Sequence, residues 1–523
     1  MSKKINIILF LIISTLVISI VYIQSSFQHW SAQWDLDFWY IYNASLMSSG
    51  IQQEWYDHPA TTILSFYSIF YKIYSLVDHS FIYKINEIMN SDDPNLVLQK
   101  LYFVTRIFDS INIILITLFT FKISKLLTSK DLYAYLLTSS LIFSLTFMNN
   151  LSILNPEDWA TLFFLISFYY LLKFYNQNKI IDLILSGIFF SFSFYSKISV
   201  IFLFFFTILL IPLFSEIHTT KVKSNIQKII EKKFSIIFTM YVISLLVYFF
   251  TQIFVLGKLD PFIQNKELDA IIIILINLVY MSLFLVISKF NLIKFKEYFS
   301  IFVIFFFGFC FGLLIFVLLD IFNIVNINPL VLVHLIKPFY KMLNFVSSEI
   351  PSSLVGNFET IILIIKKTFS EFKFDNFLFI SLFIVFIISI LNDFRNKKNN
   401  YLFIKLIIFS SLVFNTLVFN FRYWVEYLIY VHVLHIILLA ICFQNVKKKL
   451  IDIFCVVTLI YISIILPIKN FSDFERIVMT RESKLNQLCN NSDKNDVHSI
   501  FYFKIYSQQF TEDTYRKICK QFN

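Results

Sequence analysis

Long apolar runs separated by short polar segments dominate the chain. They fall near residues 5–23, 102–121, 132–149, 158–172, 180–195, 198–214, 234–256, 270–288, 299–319, 377–391, 401–420, 424–443 and 450–467. A helix needs about 20 apolar residues to cross a hydrocarbon core about 30 Å thick, so the pattern predicts about thirteen transmembrane helices. Two aromatic-rich stretches, 38–47 and 60–76, are too short or too polar to span. They read as helices lying at the membrane interface, where Trp and Tyr concentrate. The first run follows Lys3 and Lys4 and resembles a signal peptide, but it lacks a small-residue cleavage site. It is read as an uncleaved first span.

Composition agrees with this pattern. The chain is 58% hydrophobic and only 15% charged, whereas a soluble domain carries about 25% charged residues. A soluble core cannot hide so much apolar surface, so the fold class is an all-α polytopic membrane protein. The net charge of +10 would suggest nucleic acid in a soluble protein. Here it has a better account in the excess of Lys and Arg in cytoplasmic loops. Basic clusters at Lys3/Lys4, Lys122/Lys125/Lys130, Lys173/Lys179, Lys221–Lys233, Lys289–Lys296, Arg395–Lys398 and Lys447–Lys449 occupy alternate loops throughout. The N-terminus is therefore expected in the cytoplasm. The long segments 24–101 and 320–376 are expected outside, as is a small C-terminal tail, 468–523, after a transmembrane domain of residues 1–467. Cys310, Cys442 and Cys455 lie within spans. Cys489 and Cys519 share the outer tail and are a candidate disulfide, the alternative being two free thiols.

On this topology the unusual polar residues gather on one face. Asp35, Asp37, Asp57 and His58 lie in the first outer loop. Arg106, Glu157, Asp158, Lys197 and Arg422 stand at the outer ends of spans. Ionisable groups near membrane depth are costly and usually line a cavity. Carboxylates with cations at the lipid boundary suit a lipid-phosphate substrate. Plainer readings stand beside this one. Asn155-Pro156-Glu157-Asp158 is also a good helix N-terminus, and His58-Pro59 can simply open a helix. Arg106 and Asp109, at i,i+3, can neutralise each other. Lys197 and Arg422 can snorkel to the interface. Asp35-Leu36-Asp37 also has the form by which nucleotide-sugar enzymes hold a metal, but those sugars are cytoplasmic and this loop is outside. His432 and His435 share a helix face with no carboxylate or Cys companion, so no metal site is predicted there.

"DLDFWYIYNASLMSSG" followed by "YDHPATTI" resembles the first outer loop of the GT-C glycosyltransferases, whose relatives include protein O-mannosyltransferases and lipid A aminoarabinose transferases. "VTRIFDS", "NPEDWATLFF", "SGIFFSFSFYSKIS" and "FRYWV" are similar to that superfamily's Arg-bearing second span, acidic fourth-span start, Gly-then-Lys step and late Arg-Tyr. Two departures stand out: Ala60 replaces the second Pro of a His-Pro-Pro step, and Asp-Leu-Asp replaces an Asp-Glu pair. The resemblance implies a GT-C-like fold and sugar transfer from a polyprenyl-phosphate-linked donor to a glycan, lipid or protein acceptor. It implies an Asp of the first loop as general base. Asp37, beside Tyr40, is favoured, with Asp35 the alternative. Arg106, Lys197 and Arg422 would hold the donor phosphate, and Tyr40, Asp57, His58, Glu157 and Asp158 would contact substrate. No cofactor or nucleic acid is expected; a divalent metal is left open and not predicted. The expected place is a bacterial-type inner membrane. Two other classes remain in view. A transporter or flippase for lipid-linked glycans should show repeat halves and broken helices, and no halves match. A glycan polymerase or ligase would keep its key Arg and His residues in a large later loop, such as 320–376.

Overall fold

The computed structural model describes residues 28–197 apart from 33–36, 55–59 and short gaps, then 236–247, 293–327, 376–396, 428–443 and 507–519, with single positions elsewhere. The spans predicted at 5–23, 198–214, 234–256, 270–288, 401–420 and 450–467 lie wholly or mostly outside the described residues. So do Asp35, Asp57, His58 and Arg422.

Among the described residues every regular element is a helix. In chain order these are α1 (Trp39–Ser48), α2 (Thr61–Val77), α3 (Ile85–Asn90), α4 (Pro94–Thr128), α5 (Asp131–Ile142) and α6 (Pro156–Gln177). They continue with α7 (Ile180–Ser196), α8 (Ile293–Ile321), α9 (Asn376–Arg395), α10 (Leu428–Phe443) and α11 (Glu512–Cys519). Two helices among the described residues, α4 and the Ser300–Ile321 part of α8, are long and apolar enough to cross a membrane. Shorter apolar helices occupy Ile180–Ser196 and His432–Phe443. The runs predicted at 102–121, 158–172, 180–195, 299–319, 377–391 and 424–443 are thus all helical where described. Helix α5 closes at Ile142, seven residues before the predicted end of its run.

Local chemistry sets the helix ends. Asp93 opens α4: its Oδ1 accepts the Leu96 N–H at 3.2 Å, and Pro94 fills the first turn, where no N–H is needed. Asn155 does the same for α6, its Oδ1 accepting the Glu157 N–H at 3.0 Å. Pro156, Glu157 and Asp158 then place a fixed φ and two acids in the first turn. Helix α1 ends on Gly50 (φ +78°), whose left-handed backbone brings the Ile51 N–H to the Leu46 carbonyl at 2.9 Å.

Helices α4, α6, α7 and α8 form a row in which each packs on the next, with α5 and α10 against α4. At 35 residues, α4 runs for roughly 52 Å, well beyond an apolar core about 30 Å thick. Ser193 Oγ donates to the Ala160 carbonyl, and Ser167 and Ser186 exchange bonds, so hydroxyls stitch α6 to α7. The α7–α8 contact is closer still. A Cβ on Gly187 would land on the Phe305 carbonyl, and one on Gly308 on the Ile184 carbonyl. The backbones touch because neither glycine has a side chain.

The segment before α4 corrects one expectation. The stretch 38–47 does form a helix, but all ten residues of α1 are buried, so it does not lie on a surface. It packs on α2 and α4, and Phe510 of the tail covers it. Helix α2, over the predicted 60–76, keeps a free flank of Ile73, Leu76 and Val77 while Tyr67 and Tyr71 are buried. In the tail, Cys489 and Cys519 are joined as a disulfide, the pairing expected of them.

Candidate functional site

Asp37 sits just before α1 and is 1% exposed. Its Oδ1 accepts the Leu154 N–H at 2.6 Å, a contact to the loop that leads into α6. Tyr40, one turn on, is buried with its ring edge-on to Trp39 at 4.7 Å. Arg106 is fully buried on α4, within electrostatic reach of Tyr102, Asp109 and Asp37. Its guanidinium stands 3.8 Å from the Asp109 carboxylate. Asp109 is itself a hub. Its Oδ1 accepts the Tyr67 hydroxyl of α2 at 3.1 Å and the Trp159 indole N–H of α6 at 2.8 Å. Tyr71, one turn beyond Tyr67, reaches Thr105 Oγ1 at 2.6 Å.

A second buried ion pair reaches the first turn of α6. Lys197 leaves the C-terminus of α7 in extended conformation, and its Nζ meets Glu157 Oε1 at 2.8 Å. Both side chains are more than nine-tenths buried. Glu157 and Trp159 stand two residues apart on the first turn of α6, so one helix end touches both ion pairs. Asp158 between them is fully buried. Arg106 and Lys197 therefore point into the protein rather than snorkelling outward, and each has an acidic partner.

Of the residues named from the sequence, Asp37, Tyr40, Arg106, Glu157, Asp158 and Lys197 are all buried; Asp37, Glu157, Asp158 and Lys197 lie at or against the start of α6, and Arg106 reaches it through Asp109 and Trp159. Sequence reasoning missed Trp159 and Tyr67 as partners of Asp109, and the Leu154 N–H as the donor to Asp37. Among the described residues no three His, Cys, Asp or Glu side chains stand close enough to hold a metal ion. His432 and His435 are buried on α10 with ring centroids 6.1 Å apart.

A second cluster, outside the membrane-length helices, ties the tail to the first loop. Glu54 accepts the Tyr42 hydroxyl at 2.9 Å and the Gln508 N–H at 3.1 Å. The Tyr42 oxygen in turn accepts the Gln509 N–H at 3.0 Å. Burial pushes the Glu54 carboxyl up from its ordinary range, against the opposing pull of these hydrogen bonds. Burial, then the neighbouring Glu54, raise the Tyr42 phenol. Burial chiefly pushes Tyr515 up to about 12, so its hydroxyl stays a donor and reaches the Ser507 carbonyl at 2.8 Å.

The described helices bury carboxylates and cations together beside a membrane-length helix. Residues 95–248 match the family described as dolichyl-phosphate-mannose-protein mannosyltransferase. That family belongs to the GT-C superfamily, which transfers sugars from polyprenyl-phosphate donors, as the resemblance of the span motifs implied. The matched segment contains Arg106, Asp109, Glu157, Asp158 and Lys197; Asp37 and the tail lie outside it. No curated protein and no solved structure matches the chain.

Proposed function

We propose that this chain transfers a sugar from a polyprenyl-phosphate-linked donor to a hydroxyl acceptor of the cell envelope, with Asp37 as general base. The reaction takes place on the non-cytoplasmic face of a bacterial-type plasma membrane. The observation that carries the reading is the burial of Asp37 in the same electrostatic environment as Arg106, in a chain whose 95–248 segment matches a polyprenyl-phosphate mannosyltransferase family. The Leu154 N–H fixes Oδ1 of Asp37, which orients the other carboxylate oxygen.

In the step proposed, the acceptor O–H gives its proton to Asp37 as its oxygen attacks the anomeric carbon. The bond from that carbon to the phosphate oxygen breaks, and the electron pair leaves on the polyprenyl phosphate. That group is already a stable anion, so it needs cations rather than an acid. Arg106 and Lys197, with Arg422, supply them. A guanidinium carries five N–H donors, so Arg106 can hold Asp109 and a phosphate together. Asp109 and Glu157 keep the two cations in place before substrate arrives. Asp35, Asp57 and His58 belong to the same loop, and with Tyr40 and Asp158 they are proposed to contact substrate.

The test is Asp37→Asn. The amide oxygen still accepts the Leu154 N–H but takes no proton, so transfer should fall by about 10²–10⁴-fold while binding of a photoreactive polyprenyl phosphate persists. Transfer is read from the envelope glycan profile of a deletion strain carrying each variant. Full activity in Asp37→Asn with a dead Asp35→Asn would move the base to Asp35. Full activity in both would sink the mechanism.

A further inference from the structure

Three parts of the tail grip the loop that carries Asp37 and the helix that carries Arg106. Phe510 packs against Phe38, the neighbour of Asp37, at 6.1 Å between ring centroids, and against Tyr42 at 5.2 Å. Phe38 also packs against Trp30 at 5.2 Å, and both are fully buried. The backbone of Gln508 and Gln509 bonds to Glu54 and Tyr42. Nine residues after Gln509, the Ile518 carbonyl accepts the Asn95 side-chain amide at 2.7 Å, at the first turn of α4. Arg106 stands on that same helix, three turns later. The next residue after Ile518 is Cys519, cross-linked to Cys489. The aromatic step thus closes on α1, the amide step closes on α4, and a disulfide closes the tail on itself.

We propose that Phe510 is a positioning residue: with the Asn95–Ile518 bond it ties α1 to α4, fixes Asp37 relative to Arg106, and is itself held by the Cys489–Cys519 disulfide. The proposal rests on the function proposed above. Its physical basis is that a small displacement of a base from its reacting oxygen costs about 10²-fold in rate, while the binding of a long lipid phosphate elsewhere on the site is unchanged. Phe38 is the lever. Its ring packs against Trp30, Tyr42 and Phe510, so removing Phe510 takes away one of the aromatic neighbours that hold the residue next to Asp37.

The experiment uses the full chain in membranes of the deletion strain, with five variants: Phe510→Ala, Phe510→Leu, Asn95→Ala, the double change Cys489→Ser with Cys519→Ser, and Asp37→Asn. Two readouts are taken: photolabelling by a sugar-free photoreactive polyprenyl phosphate, and transfer from the glycan profile. Phe510→Ala and the cysteine double change should keep photolabelling within about 2-fold and lose transfer at least about 10-fold, in line with a misplaced base. Asn95→Ala should do the same more weakly, and Phe510→Leu, which refills the space, should recover most of the transfer. If Phe510→Ala and the cysteine change transfer at wild-type level while Asp37→Asn is dead, the positioning role is wrong and the function stands. Parallel loss of photolabelling and transfer in Phe510→Ala, unrelieved in Phe510→Leu, means a merely structural role and overturns the proposal. Wild-type transfer in Asp37→Asn removes Asp37 as the base and overturns the positioning proposal; the function itself falls only if Asp35→Asn is active as well.

Discussion

Arg106 and Asp109 lie one turn apart on α4, and from spacing alone they read as a pair that cancels itself. The structure gives Asp109 two more partners, from α2 and α6, so its charge is shared by three helices. Removing one member of a buried pair leaves the other uncompensated, at a cost of about 3–5 kcal/mol. Asp109→Ala should therefore lower the thermal unfolding midpoint in detergent well below that of Tyr67→Phe. The latter loses one hydrogen bond to a charged group, about 1.5–3 kcal/mol. Equal midpoints for the two variants would mean that the ion pair adds nothing. Arg106→Lys separates charge from geometry. It keeps the cation but loses the planar fork that can hold a carboxylate and a phosphate together. Transfer should fall at least about 10-fold, the equivalent of about 1.4 kcal/mol, with the chain still folded. The ionisable members of this cluster were legible in the sequence because a charge inside an apolar run is costly and stands out. Trp159 and Tyr67 were not, because in a chain with 19% aromatic residues an aromatic that holds a carboxylate looks like one that only packs.

Helices α7 and α8 meet backbone to backbone, and this contact sets where Lys197 leaves the end of α7. Gly308 and Gly312 are four apart in an apolar run, a spacing that suits close helix contact; nothing in that spacing told which helix the partner would be. Gly308→Ala puts a methyl group on the Ile184 carbonyl, which is backbone and cannot swing aside. The change should cost about 1–3 kcal/mol as overpacking and reduce transfer by moving Lys197 off Glu157. Phe311→Ala, at an exposed position of the same helix, should change neither midpoint nor transfer. The tail contact makes a separate prediction about pH. Glu54, with Tyr42 and Tyr515 as its titratable neighbours, has its carboxyl raised above the ordinary value of 4.5 by burial. A raised pKa means that the docked form holds the proton more tightly than the undocked form. Its contribution is fully present below 4.5 and is lost as pH rises through the raised value. Wild type should therefore gain thermal stability relative to Glu54→Gln as pH falls from neutral toward that value. A gap independent of pH would show that Glu54 does not titrate in the docked tail.

At the scale of the whole molecule, the helices over the described apolar runs were legible, two of them long enough to cross a membrane, because a run of about 20 apolar residues matches the thickness of a bilayer core and exceeds what a soluble helix needs to bury one face. The embrace of loop and tail was not, since Asn95 and Ile518 are 423 residues apart and share no pattern. The same contact changes what topology has to satisfy: the first loop and the tail must lie on one side of the membrane. That side is expected to be the outer one, from the alternation of basic loops, and the Cys489–Cys519 disulfide suits an oxidising compartment. A cysteine placed at Gln52 tests it, because this residue is exposed and avoids the positive φ of nearby Gly50. The comparison site is Asn225, in the Lys221–Lys233 segment. With Cys455 replaced by Ser in both variants, background labelling is low because Cys310 and Cys442 are buried. In intact cells a membrane-impermeant maleimide should label Gln52→Cys and spare Asn225→Cys until the cells are opened. The reverse result would put Asp37, Arg106 and the tail together in the cytoplasm. It would leave the loop–tail contact intact but remove the disulfide's rationale and the outer-face reaction at one stroke.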